Sequence, residues 1–548
     1  MNPVDGMCNS SIYGAMPDWD VSQVTDMSEA FRDRVNFNAD LSNWDVSNVR
    51  DMSHMFDFAR AFSSDISSWD VSKVTNMKAM FHWANSFTSD ISSWDVSNVT
   101  SMRHMFSEDT LFTSDLSAWD VSSVTDMLGM FDGARHFTSD LSTWDVSNVN
   151  NMNVMFEKAI RFTSDLSNWD VSNVTSMFGM FSYASSFTSD LSSWDVSKVS
   201  NMSYMFSRAS SFNSDLSTWD VGNVSNMKAM FQLSSSFNSD LSNWDVSNVT
   251  NMASMFSFAS SFTSDLSSWD VSKVTDMSQM FARDSLFSSD LSTWDVSNVT
   301  SMMSMFSRAV SFTSDLSNWD VSNVTNILNM FSGASSFTSD LSSWDVRNIT
   351  DMRSVFKGAT SFNGDIENWE IVKVNSMQDM FNGASSFNRN LSSWDIRNVL
   401  EMDRMLDSCG MSTANYDALL TAWSQQEVQS NIRFGAAGIH FCGSEEERQE
   451  LIANYNWTIN DEGLDCTTVS LDNLEINNVI IYPNPVIHIL YIQKEQETLK
   501  ASIFDTMGKE ILSQDVNNAI DMSHLQSGVY ILQLGDQNKR SSHKIIKK

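Results

Sequence analysis

The chain has 548 residues, of which 42% are hydrophobic and 18% charged, and carries a formal net charge of -35 with a sequence pI near 4.3. That surplus of Asp and Glu argues against nucleic acid or an anionic membrane as a partner, since both would repel it. No stretch approaches the roughly 20 consecutive apolar residues of a membrane-spanning helix.

Residues 1–18 read as an N-terminal remnant. The opening Met1-Asn2-Pro3-Val4-Asp5-Gly6 has neither the basic nor the apolar region of a signal peptide. The first coil is also incomplete, so a truncated or misassigned start, or a fragment of a longer surface protein, is expected. From Trp19 to Leu406 the chain repeats a 25-residue unit, L-S-S-W-D-V-S-N-V-T-N-M-x-x-M-F-x-x-A-x-S-F-T-S-D, with its Trp recurring without slippage to Trp394. A fixed period of this length predicts a solenoid over 19–406. Each unit offers apolar side chains such as Leu116, Trp119, Val121, Val124, Met127, Met130, Phe131 and Phe137, each worth roughly 1.5–3 kcal/mol when buried. Ordering the backbone and side chains costs about 1.5 kcal/mol per residue. One unit alone therefore comes out near or below zero, and its neighbours must complete the core.

Within a unit the periodicity changes. Leu116, Trp119 and Val121 have the spacing of a short strand. Met52, Met55, Phe56 and Ala59 fall at i, i+3, i+4 and i+7, which predicts a short helix facing inward. The residue before the first Met, as in Asp26, Asp51, Asn76 and Ser101, can cap a helix N-terminus, and only Glu401 departs from that set. The expected fold is thus an α/β solenoid, leucine-rich-repeat-like, with a short strand plus a short helix per coil. Strands repeat at roughly 4.7–4.9 Å and helices at about 8–10 Å, so such a stack would bend into an arc. Proline is absent between Pro17 and Pro483, as ladders of backbone N–H groups require. This pattern resembles the BspA-like leucine-rich-repeat surface proteins of bacteria, in which a W-D-V-S-x-V-x-x-M-x-x-M-F unit recurs at this length. The resemblance implies a curved cell-surface binding or adhesion protein and brings no catalytic residues with it.

Two aspartate columns are where chemistry could sit. One follows the Trp (Asp45, Asp70, Asp95, Asp120) and the other precedes the Leu or Ile (Asp40, Asp65, Asp90, Asp115). Like charges about 5 Å apart repel by roughly 0.8 kcal/mol even in water, so the columns need compensation. Either backbone amides and serines such as Ser47 and Ser64 supply it, or Ca²⁺ does, with Asp45, Asp70, Asp95 and Asp120 as metal ligands. No D-x-[DN]-x-[DN]-G loop is present, and no other cofactor is expected. G-x-S-x-G, H-E-x-x-H and P-loop motifs are absent, so no catalytic residue and no enzyme activity are expected. His54, His82, His104 and His136 lie in different coils at variable positions and read as solvated surface residues. Asn-x-Thr triplets such as Asn98-Val99-Thr100 recur at one turn, which favours a structural role over glycosylation.

Recognition must use positions that vary between coils. Phe58, Trp83, His104, Phe178, Tyr183 and Tyr204 are the partner-binding candidates, five of them aromatic where the inward stripe requires none. A Thr column at Thr88, Thr113, Thr138 and Thr163 offers an ice-binding alternative, but Asn213, Asn238 and Ser288 interrupt it.

The repeat erodes at Val355, Glu370, Asn390 and Leu406, and residues 407–470 are expected to cap the array. Tyr416 to Val428 has helical spacing, Glu445 to Tyr455 reads as a second helix, and Trp457-Thr458-Ile459 follows. Cys409, Cys442 and Cys466 lie here, and a disulfide among them suits an exported protein. Both Cys442 with Cys466 and Cys409 with Cys442 are open.

Residues 471–548 read as short strands between Gly, Asn and Asp turns, a small all-β sandwich. The order Tyr482-Pro483-Asn484-Pro485, Asp505-Thr506-Met507-Gly508-Lys509, Leu525-Gln526-Ser527-Gly528-Val529-Tyr530 and Lys544-Ile545-Ile546-Lys547 closely resembles the type A sorting domain of the type IX secretion system of Bacteroidetes. That resemblance implies export across the outer membrane and attachment at the cell surface, with the secretion machinery as one partner. The function expected is adhesion to, or recognition of, a protein, cell or glycan partner; a structural surface layer without a ligand, or a Ca²⁺-stabilised or ice-binding solenoid, are the alternatives.

Overall fold

A computed structural model describes residues 15–466, 480–493, 499–505, 509–516, 518–535 and 540–548. Most of the expected remnant, with Cys8, lies outside the described residues, as do Thr506, Met507 and Gly508 of the sorting motif. The chain divides into two compact units, Met1–Leu464 and Asp465–Lys548.

In the first unit the 25-residue segments stack coil upon coil. Met52, His54, Phe56 and Phe58 donate their N–H groups to Asn76, Lys78, Met80 and His82 of the next coil at 3.0, 2.7, 2.9 and 2.8 Å. The residues between them turn back within the coil: Met55 donates to Met52, Asp57 to His54 and Ala59 to Phe56 at 3.2, 3.2 and 2.9 Å. Every second amide thus binds the neighbour, and the others close turns. This alternation holds because two residues per coil take the left-handed conformation, for example His54 at φ 56° and Phe58 at φ 59°.

The expected helix is therefore not there. Met52, Met55, Phe56 and Ala59 are all fully buried, as the spacing requires, yet they sit on consecutive turns. The left-handed residues between them break any helix while keeping the same side chains inward. The expected strand is absent too. Leu116, Trp119 and Val121 are buried, but Trp119 N–H closes a turn on Leu116 at 3.1 Å. Parallel pairing shrinks to a single bridge per coil, Asp26 with Asp51, Asp51 with Asn76, Asn76 with Ser101 and so on, at the positions expected to cap helices. Those side chains do cap something: Asp51 Oδ1 accepts from the backbone N–H of Ser53 at 2.8 Å, opening the turn run.

The core is built from columns. Phe56 stacks on Phe62 in its own coil with centroids 3.8 Å apart and on Phe81 of the next at 5.7 Å. Each Trp from Trp44 to Trp394 is buried while its indole N–H donates to a carbonyl 28 residues back, as Trp219 does to Leu191 at 2.9 Å. A buried indole needs such a partner, and here the bond also pins successive coils in register.

The array is closed by α1 (Thr413–Ser424), β1 (Arg433–Gly435), α2 (Glu445–Tyr455) and β2 (Thr458–Asn460). Ser412 Oγ caps α1 by accepting from Asn415 N–H at 3.4 Å, and Tyr416, Leu419, Leu420 and Trp423 are its buried face. Strands β1 and β2 pair in parallel with Arg433 opposite Thr458, again 25 residues apart, and the Trp457 indole donates to Gln429 at 2.8 Å, the same 28-residue reach. Cys442 and Cys466 are disulfide-bonded and Cys409 is a free thiol, which removes the Cys409–Cys442 alternative.

The second unit holds two antiparallel sheets. One has the order β3-β4-β7, with β3 (Ile480–Tyr482), β4 (Ile489–Gln493) and β7 (Ala519–Asp521). The other runs β6-β5-β8-β9, with β5 (Leu499–Phe504), β6 (Glu510–Val516), β8 (Gly528–Gly535) and β9 (Arg540–Lys547). Val486, Leu490, Ile492, Ile503, Ile520, Leu532 and Ile545 form its core. Among the described residues no helix is long and apolar enough to cross a membrane.

Candidate recognition face

The two left-handed positions of each coil stand one above the next, so the stack carries two columns of such residues along one edge. The first contains His54, His104, Gly179, Tyr204 and Gln279; the second contains Phe58, Trp83, Glu108, Tyr183, Arg208, Phe258, Arg283 and Arg308. A non-glycine residue in this conformation costs roughly 1–2 kcal/mol relative to the right-handed region, and only Gly enters it freely. All six partner candidates lie at or beside these columns.

Because neighbouring coils are in contact, residues 25 apart become partners. Phe58 stacks on Trp83 with centroids 5.9 Å apart, and the Arg60 guanidinium lies 5.2 Å from the Trp83 ring. His54 and His82 do not stand alone in solvent, contrary to the expectation for them. Their Nδ1 atoms grip the buried Asp57 carboxylate at 2.9 and 2.7 Å, with Arg32 at 3.4 Å. Burial would raise the Asp57 carboxyl, but the hydrogen bonds from His82 and His54 outweigh it and hold the group below its ordinary range. His104 is half-buried over Gly129, and among the described residues its Nδ1 has no hydrogen-bond partner. Burial, then the neighbouring Arg103 charge, lower it to about 4.

One coil further, Lys158 spans to Glu108 at 3.4 Å and to Asp132 at 3.8 Å. Burial pushes Asp132 up to about 7 despite that lysine.

Phe178, Tyr183 and Tyr204 converge on one cavity of about 300 Å³, lined also by Glu157, Arg208 and Gln232. Phe178 meets Tyr204 edge to face at 5.8 Å, and the Arg208 guanidinium lies 4.8 Å from the Tyr183 ring centre. Sequence variability located the aromatic walls. It did not show Gly179 or Gln232, although a Gly in the middle of an apparent helix was the available signal.

The aspartate columns have a different geometry. Asp45, Asp70, Asp95 and Asp120 are exposed, and Oδ1 of each accepts from the backbone N–H two residues on at 3.1, 3.0, 3.1 and 3.0 Å. The serine hydroxyl and amide hold Asp45, Asp70 and Asp120 below the ordinary carboxylate value. In the second column Asp65 Oδ1 accepts from Ser67 N–H at 2.9 Å and from the Ser89 hydroxyl at 3.1 Å, while Ser89 Oγ accepts from Ile66 N–H at 3.0 Å. Among the described residues no three His, Cys, Asp or Glu side chains converge as metal ligands. Asn98 of the Asn-x-Thr triplet donates its amide to Ser72 O at 2.9 Å, tying coils together.

The family model described as "Mycoplasma protein of unknown function, DUF285" matches residues 6–115, 86–193, 162–269, 258–352 and 338–437. A second, described as a secretion system C-terminal sorting domain, matches residues 480–548. No curated protein matches the chain.

Proposed function

Because the chain belongs to the DUF285 family of BspA-like repeat proteins and is exported by type IX secretion to the cell surface, we propose that it is an adhesion or recognition solenoid whose left-handed edge engages a partner outside the cell. One observation carries this reading. Large side chains, Phe58, Trp83, Tyr183, Tyr204, Arg208 and Phe258, occupy positions where glycine costs least and where other coils do carry glycine. The fold requires the left-handed backbone there but not the large side chains, and their retention on that edge supports a role beyond folding. The invariant columns serve the core and the turns; the varied columns carry the information. In this reading the chain works without a cofactor or a catalytic group, and the partner is a protein, a cell surface or a glycan.

Binding of the fluorescent full-length protein to bacterial and host cell surfaces tests it. Saturable binding, lost when Phe58, Trp83 and Tyr183 are all changed to Ser, is the expected result. Binding that never saturates, or that ignores those changes, would instead favour a surface layer without a ligand.

A further inference from the structure

Three glycines interrupt the N-terminal half of the two columns, and neighbours close two of the gaps. A Cβ on Gly129 would meet the His104 ring at 2.3 Å, and one on Gly133 would meet the Glu108 carboxyl at 2.7 Å. At Gly179 the nearest atom is Val154 Cγ1 at 3.1 Å and the next is at 3.9 Å. Only the Val154 methyl stands close here, and Gly179 is part of the lining of the 300 Å³ cavity.

Its lining narrows the choice of ligand. Phe178 and Tyr183 are 38% and 42% exposed, unlike the fully buried rings of the core, and both line the cavity. Among the described residues the Arg208 guanidinium, the Gln232 amide and the Glu157 carboxylate form no hydrogen bond to protein, so donors and acceptors both stand ready at the rim. An anionic ligand would meet Glu157. An ammonium ligand would meet the like charge of Arg208, which lies 4.8 Å from the Tyr183 ring centre in the same lining. An uncharged pyranose suits both halves: its C–H face packs on aromatic rings, and its vicinal hydroxyls donate and accept together with planar amide, guanidinium and carboxylate groups.

We propose that the cavity at Gly179 binds a neutral hexose unit of a surface glycan, with Phe178 as the stacking platform, Tyr183 seating Arg208 at the rim, and Arg208, Gln232 and Glu157 bonding the hydroxyls. This names the ligand class of the recognition edge and rests on that reading. The test uses the full-length protein on an array of neutral, uronic-acid and sialylated oligosaccharides, beside the cell-binding measurement on native and periodate-treated cells. Two variants probe the cavity: Gly179→Gln fills it with a side chain that the column already tolerates at Gln279, and Phe178→Ser removes the platform. Saturable binding to a neutral oligosaccharide, weakened about tenfold or more by each variant while each still melts cooperatively, is expected. Array binding confined to acidic sugars, or insensitive to whichever variants stay folded, overturns the proposal. So does cell binding that survives periodate with no array signal; the adhesion reading then stands with a protein partner. Silence on cells and array alike removes both.

Discussion

Asp109 and Asp284 stand where most coils carry a buried alanine, and both are buried completely. Burial pushes Asp284 up to about 8 against the pull of the Leu286 and Phe287 amides, and Asp109 is raised in the same direction. A carboxyl raised from 3.8 to about 8 on folding binds its proton more tightly in the folded chain. Its contribution favours the folded state fully below 3.8 and is lost as pH rises towards 8. Asp284→Ala should therefore raise stability at pH 8 by about 1–3 kcal/mol and have a much smaller effect near pH 4, measured by denaturant unfolding at both values. An equal effect at the two pH values would mean that the carboxyl is not the cause. His104 acts on the other side: held near 4, it is neutral when folded, so its contribution is lost as pH falls from 6.5 towards 4. His104 stood out in the sequence as a varied position, whereas neither aspartate was visible as special. Asp is so common in this chain that two more in an alanine column drew no notice, and the pairing of His54 with His82 through Asp57 needed the coil-to-coil register.

At the scale of the element, the inward stripe was legible and its backbone was not. The spacing i, i+3, i+4, i+7 reports which side chains point inward, and a run of turns broken by two left-handed residues places the same four atoms inside as a helix does. Gly129, Gly133, Gly179, Gly333, Gly358 and Gly383, all at positive φ, carried the missing information, since glycine is poor in a helix and favoured in this conformation. The difference has a sign that can be measured. Ser304 lies at φ 56°, so Ser304→Gly should stabilise the protein by up to about 1 kcal/mol, whereas a helix would lose stability by a similar amount. Chemical denaturation of the two proteins decides it. The helices of the cap were legible for the ordinary reason, continuous apolar spacing with Ser412 before α1. That the cap keeps the 25-residue period was hidden, because its side chains changed while the Trp457 indole bond and the Arg433–Thr458 pairing persisted.

Across the whole array, each coil meets its neighbours through the same bonds, so stability is a sum of nearly equal interfaces. Removing Asp220 to Trp244 deletes one period and leaves Trp269 to bond Leu216 in place of Leu241, to which it now donates at 2.9 Å. That variant should fold with a cooperative melt close to that of the parent, while removal of Asp220 to Phe231 alone should break the register and expose the aromatic columns. Circular dichroism melts and limited proteolysis distinguish the two. The sorting unit is separate from this accounting, since it has its own core. The 28-residue reach of the indole, longer than the period itself, carries a consequence for inheritance. Because every coil accepts the same staple from its successor, recombination between near-identical stretches of the gene can add or drop a coil without passing through an unfoldable product. Each such event shifts which displayed side chains become neighbours, so a lineage can reshuffle what its surface presents while the scaffold beneath goes on folding.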